Sequence, residues 1–258
     1  MGATLLNDAL ALPADLRLDN KVAIVTGATG GLGAAIARRL QELGSVVVLT
    51  DLDGRNGGAL AEDLGPMAVF RVLDVRDSKA WATLVAEIVA RWERLDTLIN
   101  NAAIYRPRSI ADETADGYRQ IFEVNQLGPF LGLQAAAPAM KASGGGSVIN
   151  ISSTGGLRGY EGTLAYASTK WAVRGLSKVA ARELAADAIR VNSIHPGLCE
   201  TPMAYENTPE LLDSLRRSIP LGRLGFPHEV AALVGFLAAD ASRYISGAEL
   251  AVDGAATA

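Results

Sequence analysis

The sequence has few of several residue types, and each scarcity removes a class of protein. Its 258 residues include one cysteine, Cys199, so neither an internal disulfide nor a multi-thiolate metal site can form. Two distant histidines add no ligand cluster, and we expect no bound metal. A lone cysteine fits a reducing compartment and predicts a cytoplasmic location.

Basic residues and long apolar runs are also scarce. Lys and Arg number 24 against 28 Asp and Glu, a net charge of -4, and this disfavours a nucleic-acid partner because phosphate backbones are bound by clustered cations. The longest apolar runs, such as 231–239, fall short of the roughly 20 residues of a membrane helix, so no membrane partner is expected. The first 20 residues contain Asp8, Asp15 and Asp19 and no basic start, so a signal peptide is not expected.

From Lys21 onward, short β-branched segments alternate with longer helical ones. The predicted strands are Val22 to Thr26, Ser45 to Thr50, Ala68 to Leu73, Thr97 to Asn100, Ser147 to Ile151, Ile189 to Ile194 and Glu249 to Val252. Helical spacing occurs, for example, over Ala34 to Leu43, Trp81 to Trp92 and Ala165 to Ala185.

The strand segments are apolar without a period of two, as in parallel strands that helices cover on both faces. We therefore predict an α/β fold: a single-domain Rossmann-type doubly wound parallel sheet of about seven strands with helices on both faces. Residues 1–18 are predicted to form an N-terminal extension, and residues 19–258 the domain. Such sheets bind ligands beyond the carboxyl ends of their strands.

A glycine cluster follows the first predicted strand and precedes a helix. It reads Thr26-Gly27-Ala28-Thr29-Gly30-Gly31-Leu32-Gly33. Glycines at such a place let the backbone turn tightly and approach a pyrophosphate, whose charge the helix N-terminus stabilises. The spacing differs from the more familiar G-x-G-x-x-G, and a plain turn is the alternative. Its position between strand and helix favours a dinucleotide site.

Polar residues end the next three strands. Asp51 ends the second, where a carboxylate can accept hydrogen bonds from an adenosine ribose and would repel a 2′-phosphate, which predicts NAD over NADP. The alternative is that Asp51 merely starts a turn. Asp74 and Asn101 lie at the ends of the third and fourth strands, where each can bind an adenine or hold neighbouring backbone.

Tyr166 and Lys170 stand at positions i and i+4 of a predicted helix and therefore share a face. Because a nearby cation favours the phenolate, we expect Lys170 to lower the pKa of Tyr166 from about 10 and make it a usable acid/base. Ser153 ends the fifth strand, where its hydroxyl could bind a substrate oxygen. A tyrosine packed on a lysine stem at the surface is the alternative. The combination with the glycine turn and Ser153 favours catalysis.

Taken in order, these motifs resemble the short-chain dehydrogenase/reductases over essentially 18–254. The resemblance implies that Tyr166 transfers the substrate proton, that Ser153 orients the substrate oxygen, that Lys170 binds the nicotinamide ribose, and that Asn125 supports a water-linked proton relay. It implies an NAD-dependent oxidoreductase that interconverts a secondary alcohol and a ketone. The implied cofactor-binding residues are Gly27, Thr29, Gly30, Gly31, Leu32, Gly33, Asp51, Leu52, Asp74, Val75, Asn101, Ala102, Ala103, Ile151, Tyr166, Lys170, Pro196, Gly197, Leu198 and Thr201.

The stretches 166–181, 190–197 and 247–254 look most like bacterial hydroxysteroid dehydrogenases and alicyclic alcohol dehydrogenases. The family chooses its substrate with a variable segment, here about 199–222, which we call the substrate loop. We expect Pro202, Met203, Tyr205 and residues 211–215 of this loop to close over an apolar secondary alcohol or a cyclic ketone. The family also implies a homotetramer. Ala103 and Ala255 depart from its pattern, since glycine is usual at both positions.

Three other readings compete with this one. A serine hydrolase is disfavoured because no G-x-S-x-G occurs, and because His195 belongs to a strand end and His228 to a helix start. A non-catalytic NAD-binding regulator would be free to lose Ser153, Tyr166 or Lys170, and this chain has all three. A 3-oxoacyl-type carbonyl reductase usually selects NADP, which Asp51 argues against.

Overall fold

The computed structural model describes residues 12–258, which are built around one parallel sheet. Its strands are β1 (Val22–Thr26), β2 (Val46–Asp51), β3 (Ala68–Val72), β4 (Thr97–Asn100), β5 (Gly146–Ile151), β6 (Ile189–Pro196) and β7 (Glu249–Val252). They lie in the order β3-β2-β1-β4-β5-β6-β7, and every neighbouring pair is parallel. The predicted doubly wound α/β fold is confirmed.

Longer helices connect the strands. Within residues 12–258 they are α1 (Gly31–Glu42), α2 (Gly54–Leu64), α3 (Ser78–Trp92), α4 (Ala115–Phe122), α5 (Gly128–Ala142), α6 (Leu164–Glu183), α7 (Pro209–Ser218) and α8 (Pro227–Ala238). Sequence signals account for several helix starts. The side chains of Asp53 and Asp77 accept hydrogen bonds from the first N–H groups of α2 and α3. Proline stands at the start of α7 and α8, where its missing N–H costs no helical hydrogen bond.

Helices cover both faces of the sheet, and β1 shows why its sequence lacks alternation. Ala23 and Val25 pack into a core with α1 and α8, whereas Val22 and Ile24 pack into a second core with α3 and α5. All five residues of β1 are buried. A strand that is covered on both faces needs apolar residues at every position, as the sequence pattern predicted.

The chain reverses its direction of winding at β1 and β4. From β1 it continues to β2 and β3 on one side, then returns to β4 on the other side and goes on to β5, β6 and β7. The connections leaving the carboxyl ends of β1 and β4 therefore diverge and open a crevice between them. This crevice is where a ligand of such a sheet is expected.

The predicted N-terminal extension, residues 1–18, falls partly outside the described residues, which begin at residue 12. Leu18, its last residue, belongs to the domain core. Its side chain is 2 % exposed, and its N–H donates to Leu43 O over 2.6 Å. Within residues 12–258, no helix is long and apolar enough to cross a membrane.

The two alanines that replace the family's usual glycines differ in conformation. Ala255 has a φ of +70°, in the left-handed region that glycine adopts without strain. Ala103 lies outside the set of positive-φ residues and so needs no glycine for its backbone. Only the Ala255 substitution places a side chain in a strained backbone conformation.

Candidate active site

The glycine turn forms the floor of the cleft at the end of β1. Gly27 has a φ of +63°, and a Cβ there would lie 2.8 Å from the Ala102 Cα. A Cβ on Gly33 would collide with the carbonyl oxygen of Gly27. No side chain of the described residues caps the first turn of α1, which leaves the leading N–H groups of that helix for a ligand. This backbone floor and helix N-terminus fit a pyrophosphate.

Asp51 ends β2 beside the glycine turn. Its Oδ2 accepts hydrogen bonds from the Thr29 N–H over 3.0 Å and the Thr29 hydroxyl over 2.6 Å, and its Oδ1 accepts from the Leu52 N–H over 2.7 Å. These donors hold the carboxylate at the edge of the cleft. A carboxylate has about four acceptor sites, so it can still accept from a ribose hydroxyl.

Asn101 braces the same turn from β4. Its amide nitrogen donates to the carbonyl oxygens of Thr26 over 2.9 Å and Gly27 over 3.1 Å. The Thr26 hydroxyl oxygen in turn accepts from the N–H groups of Asn101 and Ala102, each over 3.0 Å. Of the two roles predicted for a polar residue here, the structure shows the second, holding the neighbouring backbone.

Tyr166 stands in the first turns of α6 and lines the cleft. Burial raises the pKa of its phenol to about 12, although the Ser153 side chain acts in the opposite direction and lowers it. The direction is opposite to the one expected from the i and i+4 spacing. The phenol is therefore protonated at neutral pH and can donate to a substrate oxygen.

Lys170 lies one turn further along α6, 3 % exposed. Its Nζ is 5.5 Å from the centre of the Tyr166 ring and donates to the Ile151 carbonyl oxygen over 2.9 Å. Burial lowers the pKa of Lys170 to about 8. The sequence spacing placed the two side chains correctly. It did not reveal how far the surrounding protein desolvates them, and this desolvation is the largest cause of both pKa shifts.

Ser153 follows β5, and the His195 ring contacts its backbone carbonyl oxygen. The Ser153 hydroxyl accepts from the Gly155 N–H over 3.0 Å. His195 is fully buried, with Nδ1 3.0 Å from the Ser153 carbonyl oxygen and Nε2 3.0 Å from the Ser193 hydroxyl oxygen. Burial lowers the pKa of His195, which favours a neutral ring that supports Ser153. His195 lies within β6, as the sequence interpretation placed it.

Asn125 is the one predicted site residue outside the cleft lining. It lies buried in a π-helical turn, Glu123–Leu127, between α4 and α5. Its Oδ1 accepts from the Ile104 N–H and its Nδ2 donates to the Ile104 carbonyl oxygen, both over 2.9 Å. Both ends of the amide thus hold the loop that follows β4.

The other predicted site residues meet in one cleft of about 680 Å³. Every predicted cofactor-binding residue lines it, together with Ser153, Tyr166 and Lys170. The half of the cleft at the ends of β1, β2 and β3 contains the glycine turn, Asp51 and Asp74. The half at the ends of β4, β5 and β6 contains Ser153 and Tyr166. We call the second half the substrate half.

Sequence reasoning missed part of the substrate half. Tyr105 follows β4, Tyr160 and Glu161 follow β5, and Asn207 lies in the substrate loop. None of them belongs to a motif, although Tyr105 lies in the loop after β4 and Asn207 within the predicted substrate loop. Of the residues predicted to cover the substrate, Pro202, Met203, Leu211 and Leu215 line the cleft, whereas Tyr205 is 64 % exposed and lies outside the lining.

The substrate half is mostly apolar and holds little charge. Met203, Leu211, Leu215 and Ile219 supply its apolar surface. Among the described residues, the ionisable carboxylate in this lining is Glu161, and the cation is Lys170, which already donates to a carbonyl oxygen. Cys199 also lines the cleft, and burial raises the pKa of its thiol to about 11, so it is uncharged.

Comparison with known proteins agrees with this arrangement. A family model described as enoyl-(acyl carrier protein) reductase matches residues 27–257. The chain is 43% identical over 254 residues to trans-4-hydroxycyclohexanecarboxylate dehydrogenase of Sinomonas cyclohexanicum, covering 94% of this chain and 95% of that protein. It is 43% identical over 238 residues to 3-alpha-(or 20-beta)-hydroxysteroid dehydrogenase of Mycobacterium bovis, covering 92% and 90%. It is 37% identical over 247 residues to cyclopentanol dehydrogenase of Comamonas sp., covering 94% and 99%.

Proposed function

The chain belongs to the short-chain dehydrogenase/reductase family, and from that premise we propose that it oxidises uncharged, apolar cyclic secondary alcohols with NAD. It is an oxidoreductase that interconverts a secondary alcohol and a ketone, as the motifs predicted. The observation that carries the proposal is the cleft itself, in which a dinucleotide-type floor continues into an apolar substrate half with Ser153 and Tyr166 at the junction.

Each catalytic side chain has a defined task in this proposal. A nicotinamide dinucleotide held by the glycine turn and Asp51 would supply hydride transfer to or from the carbinol carbon. The Tyr166 phenol donates its proton to the ketone oxygen, and in the opposite direction the Tyr166 phenolate takes the proton from the alcohol; the Ser153 hydroxyl bonds the same oxygen. When Lys170 is protonated, its ammonium group places a positive charge close to the Tyr166 ring. The apolar residues of the substrate loop exclude water from the reacting atoms.

The absence of a free cation in the substrate half, among the described residues, supports an uncharged substrate. A carboxylate entering this half would meet Glu161 in the lining. Glu206 also lies close enough to Tyr105 for its charge to raise the pKa of that phenol, after the larger effect of burial. Both side chains are exposed, so they disfavour an anionic ring alcohol by repulsion that solvent screens, and they leave a neutral one unaffected.

The substrate class is tested by measuring absorbance of reduced nicotinamide with purified protein. The panel pairs cyclopentanol and cyclohexanol with 4-hydroxycyclohexanecarboxylate, a 3-hydroxysteroid and a 3-hydroxyacyl thioester, each with NAD and with NADP. We expect NAD-dependent turnover of the neutral cyclic alcohols, with kcat/KM at least about tenfold above that of the carboxylate. Cofactor binding without turnover of any cyclic alcohol would instead favour the regulator. Preferential turnover of the thioester with NADP would favour the 3-oxoacyl-type reductase.

The choice of NAD over NADP rests on Asp51. We expect Asp51→Asn to raise kcat/KM with NADP about tenfold, because the amide still accepts from Thr29 and no longer repels a 2′-phosphate. Steady-state kinetics with both cofactors measure the ratio. Asp53→Asn is the matched control, since Asp53 caps α2 two residues away and asparagine caps equally well. If both variants shift the ratio equally, general charge near the cleft selects the cofactor, and Asp51 has no special part.

Cytoplasmic location and a homotetramer complete the proposal. The lone cysteine, buried and with a raised pKa, suits a reducing compartment. Exposed apolar side chains on the outer helices, among them Phe130 of α5 and Trp171 and Val179 of α6, suit contacts between copies.

A further inference from the structure

Tyr105 joins two loops across the substrate half of the cleft. Its ring packs edge-on against the Tyr166 ring, with the centroids 5.1 Å apart and the planes at 83°. Its hydroxyl donates to Asn207 Oδ1 over 3.0 Å. The Asn207 amide nitrogen donates in turn to the Ala204 carbonyl oxygen over 2.9 Å, within the substrate loop. A single side chain thus touches the catalytic tyrosine and holds the loop that covers it.

The base of Tyr105 is itself held in place. The preceding residue, Ile104, makes two hydrogen bonds with the buried Asn125 amide, so the backbone that carries Tyr105 is fixed to the π-helical turn. The substrate loop has weaker ties to the body. Its helix α7 contains no buried residue, and Tyr205 and Leu211 are exposed. Of the two loops that the Tyr105–Asn207 hydrogen bond joins, the loop after β4 is therefore fixed and the substrate loop can move.

The geometry points to Tyr105 as a specificity-determining residue that works through Asn207. We call this pair the Tyr105–Asn207 clasp. The Tyr105 ring forms a wall of the pocket next to the proton donor, so it limits how large a ring can stand beside Tyr166. The hydroxyl holds the substrate loop over that ring. The clasp thus favours single-ring alcohols over fused-ring ones, a statement that rests on the proposed function.

The first test of the clasp needs no substrate. Trypsin cleavage after Arg216, which is exposed on α7, reports the opening of the substrate loop and is followed by mass spectrometry. Losing one hydrogen bond in Tyr105→Phe should raise the cleavage rate about fivefold. Asn207→Ala should raise the rate at least as much, because it also removes the bond to the Ala204 carbonyl oxygen, and the double variant should be cleaved no faster than Asn207→Ala, since the bond of Tyr105 is already lost there. Tyr205→Phe is the control, because it removes a tyrosine hydroxyl from the same loop but from an exposed side chain.

The second test measures specificity. Tyr105→Phe should raise KM for cyclohexanol about fivefold, with kcat within about twofold and an unchanged Kd for NAD. Tyr105→Ala should raise the kcat/KM ratio of a fused-ring to a single-ring alcohol about tenfold, because it removes the wall. A merely structural role would instead lower kcat, cofactor affinity and Tm together and leave the ratio of substrates unchanged.

The two tests separate the clasp from the proposed function. Cleavage of Tyr105→Phe at the wild-type rate overturns the clasp, whatever the substrate is. Faster cleavage with an unchanged substrate ratio in Tyr105→Ala overturns the role of Tyr105 in specificity. If the wild-type protein turns over no cyclic alcohol, the proposed function fails, and the clasp stands or falls on the cleavage rates alone.

Discussion

Replacing Tyr166 with phenylalanine is expected to lower kcat for alcohol oxidation by about 10³-fold or more, while the Kd for NAD stays within about twofold. The variant keeps the ring and removes the hydroxyl whose pKa the Ser153 side chain affects. Among the described residues, the cleft lining contains two further phenols, those of Tyr105 and Tyr160. The Tyr105 hydroxyl is already bonded to Asn207. Stopped-flow turnover and a titration of the protein fluorescence with NAD measure the two quantities.

The matched control is Tyr118→Phe, which removes a hydroxyl from an exposed tyrosine of α4 outside the cleft lining. It should keep wild-type kcat. If Tyr166→Phe retains more than about a tenth of wild-type turnover, the proton passes through another group and the assignment of Tyr166 fails. If it loses activity together with NAD affinity, the ring has moved, and the readout concerns structure instead of proton transfer.

The fold was predictable because the five inner strands of this sheet, β1, β2, β4, β5 and β6, are buried on both faces. Such burial demands the unbroken β-branched runs that the sequence displays, and the predicted strand bounds differ from the observed ones by two residues at most. The largest difference is at the end of β6. That strand continues to Pro196 because His195 and Pro196 pair with Ala251 and Val252 of β7, a partnership invisible from β6 alone.

The half of the cleft that contains the glycine turn, Asp51 and Asp74 was predictable for a related reason. Its residues come from the turn and strand ends that a parallel sheet brings together, so position along the chain implies position in space. The substrate half does not follow this rule. Tyr105 and Asn207 meet over 3.0 Å although they are far apart in sequence, and the approach of their loops depends on tertiary packing. Asn125 was assigned by resemblance to a proton relay, and its contacts with Ile104 show a positioning role that no spacing predicts.

The pKa directions were the least predictable property of the site. The spacing along the helix predicts that Lys170 lies near Tyr166. A nearby cation by itself is expected to lower the pKa of a phenol. Burial disfavours the charged form of both groups, and the size of the resulting pKa shift depends on how the whole fold packs around them. It raises the pKa of Tyr166 and lowers that of Lys170. The sequence therefore predicted that the two side chains lie together, while the direction of their pKa shifts required the structure.

Lys170→Met is expected to lower turnover about 10²-fold and yet to raise the stability of the protein. Burial lowers the pKa of Lys170 from 10.5 to about 8, which corresponds to about 3 kcal/mol of free energy spent on keeping the charge below pH 8. Methionine carries no charge and fits a similar volume. It leaves the Ile151 carbonyl oxygen without its Nζ donor, at a cost of about 1 kcal/mol. The net gain of about 2 kcal/mol should raise Tm by about 5 °C at pH 7.

The pH dependence identifies the cause of this gain. Below pH 8 Lys170 is protonated in both the folded and the unfolded chain, so the full penalty is present. Between pH 8 and 10.5 the folded chain loses the proton and the unfolded chain keeps it, so wild-type stability rises relative to the variant and the difference in Tm closes. Lys178→Met, on the same helix with an exposed side chain paired to Glu249, should show neither the gain nor the closing. A Lys170→Met variant that is less stable than wild type at pH 7 would mean that the Nζ contact outweighs desolvation. In that case the buried cation would not lower the stability of the fold. The pKa shifts imply the opposite, namely that holding a cation next to the Tyr166 phenol lowers the free energy of unfolding of this enzyme.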